Sequence, residues 1–148
     1  MKPLFTPLEE FEEFLTKYGQ TKIKTLIKFI PDFQKKFKML ESLSLDITPD
    51  AAVKFMDFDD LQPKFYKELL QSGLLIEFDW QDWEEGGEIL EGLREFQSTN
   101  PIKIFKIFTL IVRKDQKENG YFERMLKNRT ILSYLMKLES LMPLHHSH

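Results

Sequence analysis

The sequence predicts a mainly α-helical fold, a compact multi-helix bundle of six or seven helices with room for a small two- or three-stranded β element. Three observations predict it. Apolar residues recur every three or four positions over most of the chain, which places them on one face of a helix. Cap-then-proline and glycine signals punctuate these stretches at helix-length intervals. Strict alternation of apolar and polar residues, the mark of a half-buried strand, is confined to short runs.

Taken in order, Thr6-Pro7-Leu8-Glu9 has the form of a capping box with an early proline, and Leu8, Phe11, Leu15 and Tyr18 then share a face up to a stop at Gly19. Thr21 opens a second helix carrying Ile23, Leu26, Ile27, Ile30, Phe33, Phe37 and Leu40, which Pro31 should kink or divide. Ser42 to Thr48 alternates and suggests a short strand or an extended connection. Thr48-Pro49 can start a helical turn, and Val53 to Phe58 is ambiguous between strand and helix. A helix from Leu61 to Ser72 ends at Gly73, and Leu74 to Phe78 is extended, able to pair with one of the earlier alternating runs. Asp79 is placed to cap a helix starting at Trp80, with Trp80, Trp83, Gly87, Leu90, Leu93 and Phe96 in one stripe. Asn100-Pro101 repeats the cap-then-proline signal before Ile102 to Lys114, apolar nearly all round as a central helix should be. Asn119-Gly120 breaks that helix, and Tyr121 to Lys127 and Thr130 to Leu141 complete the set before Pro143. Residues 1–143 read as a single domain and residues 144–148 as a flexible His-rich tail.

With 148 residues, 42% of them hydrophobic and 14 of them Phe, the chain has ample material for one core. The absence of cysteine excludes disulfides, thiolate nucleophiles and Cys-ligated metal sites. The only histidines are His145, His146 and His148, so no imidazole base is expected in the folded region, and no nucleotide loop or nucleophile elbow is present. The amino terminus lacks an apolar leader, and no run approaches the roughly 18 apolar residues of a membrane span; a cytoplasmic location is the simplest expectation.

Two segments carry a resemblance. Phe78-Asp79-Trp80-Gln81-Asp82-Trp83 matches a Phe-Asp-Trp-x-x-Trp signature, and Arg113, Asp115 and Gly120 match part of Arg-x-Asp-Arg-Phe-x-x-Gly-His. Together with a final helix from Asn128 to Leu135, and more loosely Phe29, Pro31 and Phe33, they make the chain resemble a prokaryotic domain family of unknown function. The chain departs from the second signature at Gln116, Lys117 and Tyr121. The resemblance would place a histidine where Tyr121 stands, and a phenol, with its ordinary pKa of about 10, cannot serve as a base near neutral pH.

The candidate binding residues are therefore Asp79, Trp80, Trp83, Arg113, Asp115, Gly120 and Tyr121. Arg113 and Asp115 near a helix end suit either an anion site or, the stronger reading, a helix C-cap and ion pair tying that helix to Gly120. Trp80 and Trp83 can line a pocket, but core packing is the stronger reading. Gly86-Gly87 within a helix suggests close approach of another backbone. Eight acids between Glu77 and Glu95 face only Arg94, whereas bases dominate from Lys103 to Arg129; solvated surface is favoured over attraction between the two. Lys24, Lys28, Lys35 and Lys38, with Lys22 and Lys36 nearby, form a lysine stripe on the second helix, and the net charge of -3 makes nucleic acid the third-ranked partner. Asp57, Asp59 and Asp60 are expected to cap a helix rather than hold a metal, and no cofactor is implied. The reading favoured on these grounds is a non-enzymatic interaction or regulatory module binding a protein partner or forming a homodimer, through a groove near the Trp80 helix and the Arg113 turn. The alternative is a ligand-binding or enzymatic pocket around Asp79, Trp80, Arg113 and Asp115.

Overall fold

The computed structural model describes residues 5–43, 58, 60–98 and 100–141. Strand β1 (Phe5–Pro7) runs straight into helix α1 (Leu8–Ile27). Thr6 does not cap this helix: its hydroxyl donates to the carbonyl of Gly73 at 2.7 Å, and Pro7 occupies the N-cap position without a side-chain bond. Nor does α1 stop at Gly19. The glycine is buried in mid-helix, where a Cβ would press on the Leu15 side chain at 3.0 Å, so its smallness answers a packing need rather than a turn. Thr21 accordingly lies inside α1. The chain breaks at Lys28–Phe29, and α2 (Ile30–Leu43) begins with Pro31 as its second residue, where a missing N–H leaves no ladder bond unmade. Proline thus divides the long apolar stretch, as its ring chemistry requires.

Ser42 and Leu43 end α2 instead of opening a strand, and the rest of the Ser42–Thr48 run, Thr48-Pro49 and residues 53–57 lie outside the described residues. Helix α3 (Leu61–Gln71) leads through Gly73, at φ +79°, into β2 (Leu75–Glu77). Strand β2 pairs in parallel with β1, Phe5 opposite Leu75 and Pro7 opposite Glu77. The extended Leu74–Phe78 segment is as expected, but its partner comes from the amino terminus, not from the alternating runs.

Asp79 holds the N-cap position of a 3₁₀ turn at Trp80–Asp82 but makes no side-chain capping bond, and α4 (Glu84–Leu90) follows with Trp83 at its own N-cap. Helix α4 is short because Gly92 ends it at φ +79°. The N–H of Leu93 reaches back to the Glu88 carbonyl at 2.8 Å and that of Gly92 to Ile89 at 3.1 Å, the two bonds of a Schellman closure. The expected stripe from Trp80 to Phe96 is therefore three local pieces, and Leu93 points outward, 72% exposed.

Helix α5 (Pro101–Lys117) starts where Asn100 and Pro101 place it, the Asn100 side-chain oxygen accepting from the Ile102 N–H at 2.9 Å. It buries Ile104, Phe105 and every residue from Ile107 to Val112, and it touches β2, α4, α6 (Tyr121–Lys127) and α7 (Thr130–Leu141). Gly120, at φ +95°, makes the turn into α6. The mainly helical fold with a small parallel sheet agrees with the sequence reading. Its core is a phenylalanine lattice in which Phe29, Phe33, Phe58 and Phe65 meet edge to face at centroid distances of 5.2 to 5.8 Å. Such pairs contribute about 0.5–1.5 kcal/mol each beyond the burial of their area.

One polar side chain sits at the centre. Thr109 of α5 is fully buried, donates to the Phe105 carbonyl at 2.7 Å and accepts from the Ile76 N–H at 2.8 Å. Its hydroxyl thus satisfies a strand N–H of β2 that would otherwise be orphaned against α5.

Candidate functional site

Asp115 lies in the last turn of α5 and reaches across the break at Gly120. One carboxylate oxygen accepts from the Phe122 N–H at 2.8 Å, capping the start of α6, and the other accepts from the Tyr66 hydroxyl at 3.3 Å. Burial, reinforced by the Asp115 charge and hydrogen bond, pushes the Tyr66 phenol up to about 12. These groups border a cleft of about 290 Å³ lined by Gln62, Tyr66, Asp115, Asn119, Gly120 and Glu123, among others.

Arg113 is elsewhere. Two residues apart on a helix are about 200° apart around its axis, and the guanidinium of Arg113 stacks on Phe5 of β1, 3.8 Å from the ring centroid. Its buried Nε has no hydrogen-bond partner among the described residues. Tyr121 is buried, with Arg124 at 4.8 Å and Lys114 at 5.7 Å from its ring. Burial raises its phenol pKa despite the opposing Arg124 charge, so the group is further from acting as a base than a free tyrosine.

The tryptophans occupy an intermediate layer. Trp83 meets Phe78 edge to face at 5.7 Å and covers Gly86, where a Cβ would overlap the indole ring. The close approach at the glycine doublet is thus made by a side chain, not by another backbone. Half-buried Trp80 has Lys117 at 5.1 Å from its ring, and Asp79 is exposed beside it. Of Asp79, Trp80, Arg113 and Asp115, only Asp115 lines the cleft near Tyr66.

The charge asymmetry is used within the fold rather than only solvated. Lys103 of α5 bonds Glu85 of α4 at 2.7 Å, which lowers the Glu85 carboxyl pKa, and Lys106 lies over both Phe78 and Trp83. The lysine stripe does not lie on one helix: Lys24 belongs to α1, Lys28 to the turn, where it pairs with Glu68 at 3.9 Å, and Lys35 and Lys38 to α2. Asp60 precedes α3 without a side-chain capping bond, while Asp57, Asp59 and the three histidines lie outside the described residues. Among the described residues no group of three or more His, Asp or Glu side chains is clustered for a metal, and no helix is long and apolar enough to cross a membrane.

A surface feature the residue pattern did not reveal runs between α2 and α7. Phe37, Leu132 and Met136 form an apolar floor, and Lys35, Lys38, Glu41 and Arg129 a polar rim, around a depression of about 730 Å³. A second depression of about 460 Å³ shares Arg129, Leu132 and Met136 and continues along α7 to Ser140. Arg129 walls the groove from an uncommon backbone position, φ +73°, with its guanidinium 4.6 Å from the Phe37 centroid and 3.0 Å from Glu41. No sequence signal marked Arg129, because residues favouring the left-handed region are Gly and Asn. Met136 was not singled out by the residue pattern either.

Comparison with known proteins returns no matching curated protein and no matching solved structure. A family model described as a family of unknown function, DUF6508, matches residues 19–143, a span containing the Trp80 turn, the Asp115 cap and all of α5, α6 and α7. Most of the chain falls within that match, and the protein belongs to this family of unknown function.

Proposed function

We propose that the protein is a non-enzymatic interaction module that receives a protein partner in the groove between α2 and α7. The observation that carries this reading is the groove itself: an apolar floor, continuous along α7, under a rim with more cations than anions. Methionine at such a surface suits adaptable packing, and Met136 is 44% exposed. The reading is placed further from the Trp80 helix than the residue pattern alone suggested.

The ligand-pocket reading has less support. Both Asp115 oxygens are engaged within the protein, and Arg113 is turned toward Phe5. Nucleic-acid contact has less again, since the lysines on which it would depend are divided between two helices.

A photoreactive amino acid at position 136, with position 18 as an exposed control away from the groove, tests the proposal in the protein's native cells. A discrete adduct from position 136 and none from position 18 is expected. Equal labelling from both positions, or none from position 136, would overturn it.

A further inference from the structure

The most exposed of the large apolar side chains described is Leu93, and its placement is unusual. A Schellman closure ordinarily packs the residue after the left-handed glycine back onto its own helix. Here Gly92 closes α4, yet Leu93 remains 72% exposed. Glu91 and Glu95 flank it, both exposed, while Glu88 is matched by Arg94 at 3.1 Å. The turn is therefore an apolar tip within an acidic frame.

The α2–α7 groove has the opposite character. Lys35, Lys38 and Arg129 face Glu41 alone among the acids of the lining, and Glu41 is held by Arg129. The floor is open to solvent mainly through Met136, 44% exposed, since Phe37 and Leu132 are buried. Three residues beyond Leu93, Phe96 meets Tyr134 of α7 edge to face at 5.2 Å; Tyr134 lies about 200° round α7 from Leu132 and Met136, so the tip and the groove are on different sides of that helix.

We infer that the occupant of the groove is a second copy of this chain, which enters with its Leu93 turn. The inference rests on the interaction reading above. Leu93 contacts Met136 and Leu132, and Glu91 and Glu95 meet Lys35, Lys38 and Arg129 of the other molecule. With tip and groove on different sides of α7, each molecule gives its tip to one neighbour and its groove to another, a head-to-tail contact.

Sedimentation of the full chain over a concentration series tests this. Reversible self-association is expected, weakened by added salt because the rim charges are exposed. Leu93→Glu and Met136→Glu should each weaken it by about tenfold or more, since each sets an acid in the contact; both sites are exposed, and circular dichroism of each variant checks that it folds. Mixing the two variants should restore association, because the first keeps an intact groove and the second an intact tip. A chain monomeric at all concentrations, single variants that associate like the parent, or a mixture that fails to recover would each overturn the inference. A monomeric chain that still gives a discrete adduct with a different protein from position 136 would defeat the second-copy inference alone and leave the interaction reading standing.

Discussion

Gly86 and Gly87 are neighbours in sequence with opposite surroundings. A Cβ at Gly86 would overlap the Trp83 indole, whereas one at Gly87 would meet nothing within 4 Å. Gly86→Ala should therefore destabilise the fold by about 1–3 kcal/mol through overpacking. Gly87→Ala should stabilise it by about 0.5–1 kcal/mol, because alanine costs less chain entropy in a helix. Urea unfolding of the two variants checks both signs in one experiment. Asp115 makes a second residue-scale prediction. Asp115→Ala removes the cap on Phe122 and the acceptor for Tyr66, and should cost about 1–2 kcal/mol. Asp115→Asn retains an acceptor for the Phe122 N–H and should cost less in the same assay. The glycine doublet was legible as a feature of sequence, whereas Asp115, expected in a C-cap and ion pair with Arg113, caps the start of the next helix instead. Which neighbour crowded the glycine was not legible, because a ring at the helix start folds back over a turn that composition does not describe.

At the scale of elements, the small sheet depends on a side chain from a helix. Thr109 accepts from Ile76 across 33 residues of sequence, joining α5 to β2. Thr109→Val preserves the shape but leaves that N–H without a partner, and should lower stability by about 1–3 kcal/mol by thermal or urea unfolding. Faster amide exchange at Ile76 than at Leu75 or Glu77 in the variant would tie the loss to this bond. Local chemistry predicted the helices with strong end signals: Asn100-Pro101 for α5, Gly120 before α6 and Gly73 after α3. It misread elements whose punctuation serves packing. Gly19 is buried within α1, and Thr6 belongs to a strand. It also passed over Gly92, whose closure of α4 is a short-range signal that the apolar spacing beyond it obscured.

For the whole molecule, three tyrosines couple stability to alkaline pH. Burial raises the pKa of Tyr66, Tyr121 and Tyr134, with Tyr66 at about 12 against its ordinary 10.0. Below about pH 10 both folded and unfolded chains keep the Tyr66 proton. Above it the unfolded chain releases the proton first, so stability falls as pH rises toward about 12. The urea midpoint should therefore decline across that window, and Tyr66→Phe should flatten part of the decline. A midpoint independent of pH there, or a Tyr66→Phe profile parallel to the parent, would refute the coupling. The same scale explains the fate of the charged segments. The acidic stretch packs α4 against the basic face of α5 through Lys103 and Glu85, a pairing that only the tertiary arrangement brings to bonding distance.

The helical class, the ends of α3, α6 and α7, the start of α5 and the break near Pro31 were determined by the sequence alone, because periodicity, caps and proline act over a few residues of chain. The tertiary structure decided what needed distant segments to meet: the pairing of β1 with β2, the separation of Arg113 from Asp115, and the groove between α2 and α7. A surface formed by helices some ninety residues apart, such as the one joining Glu41 to Arg129 across 88 positions, has no local signature. The physical reason is that local sequence sets backbone conformation, while the choice of neighbours follows from how all the apolar faces are buried together.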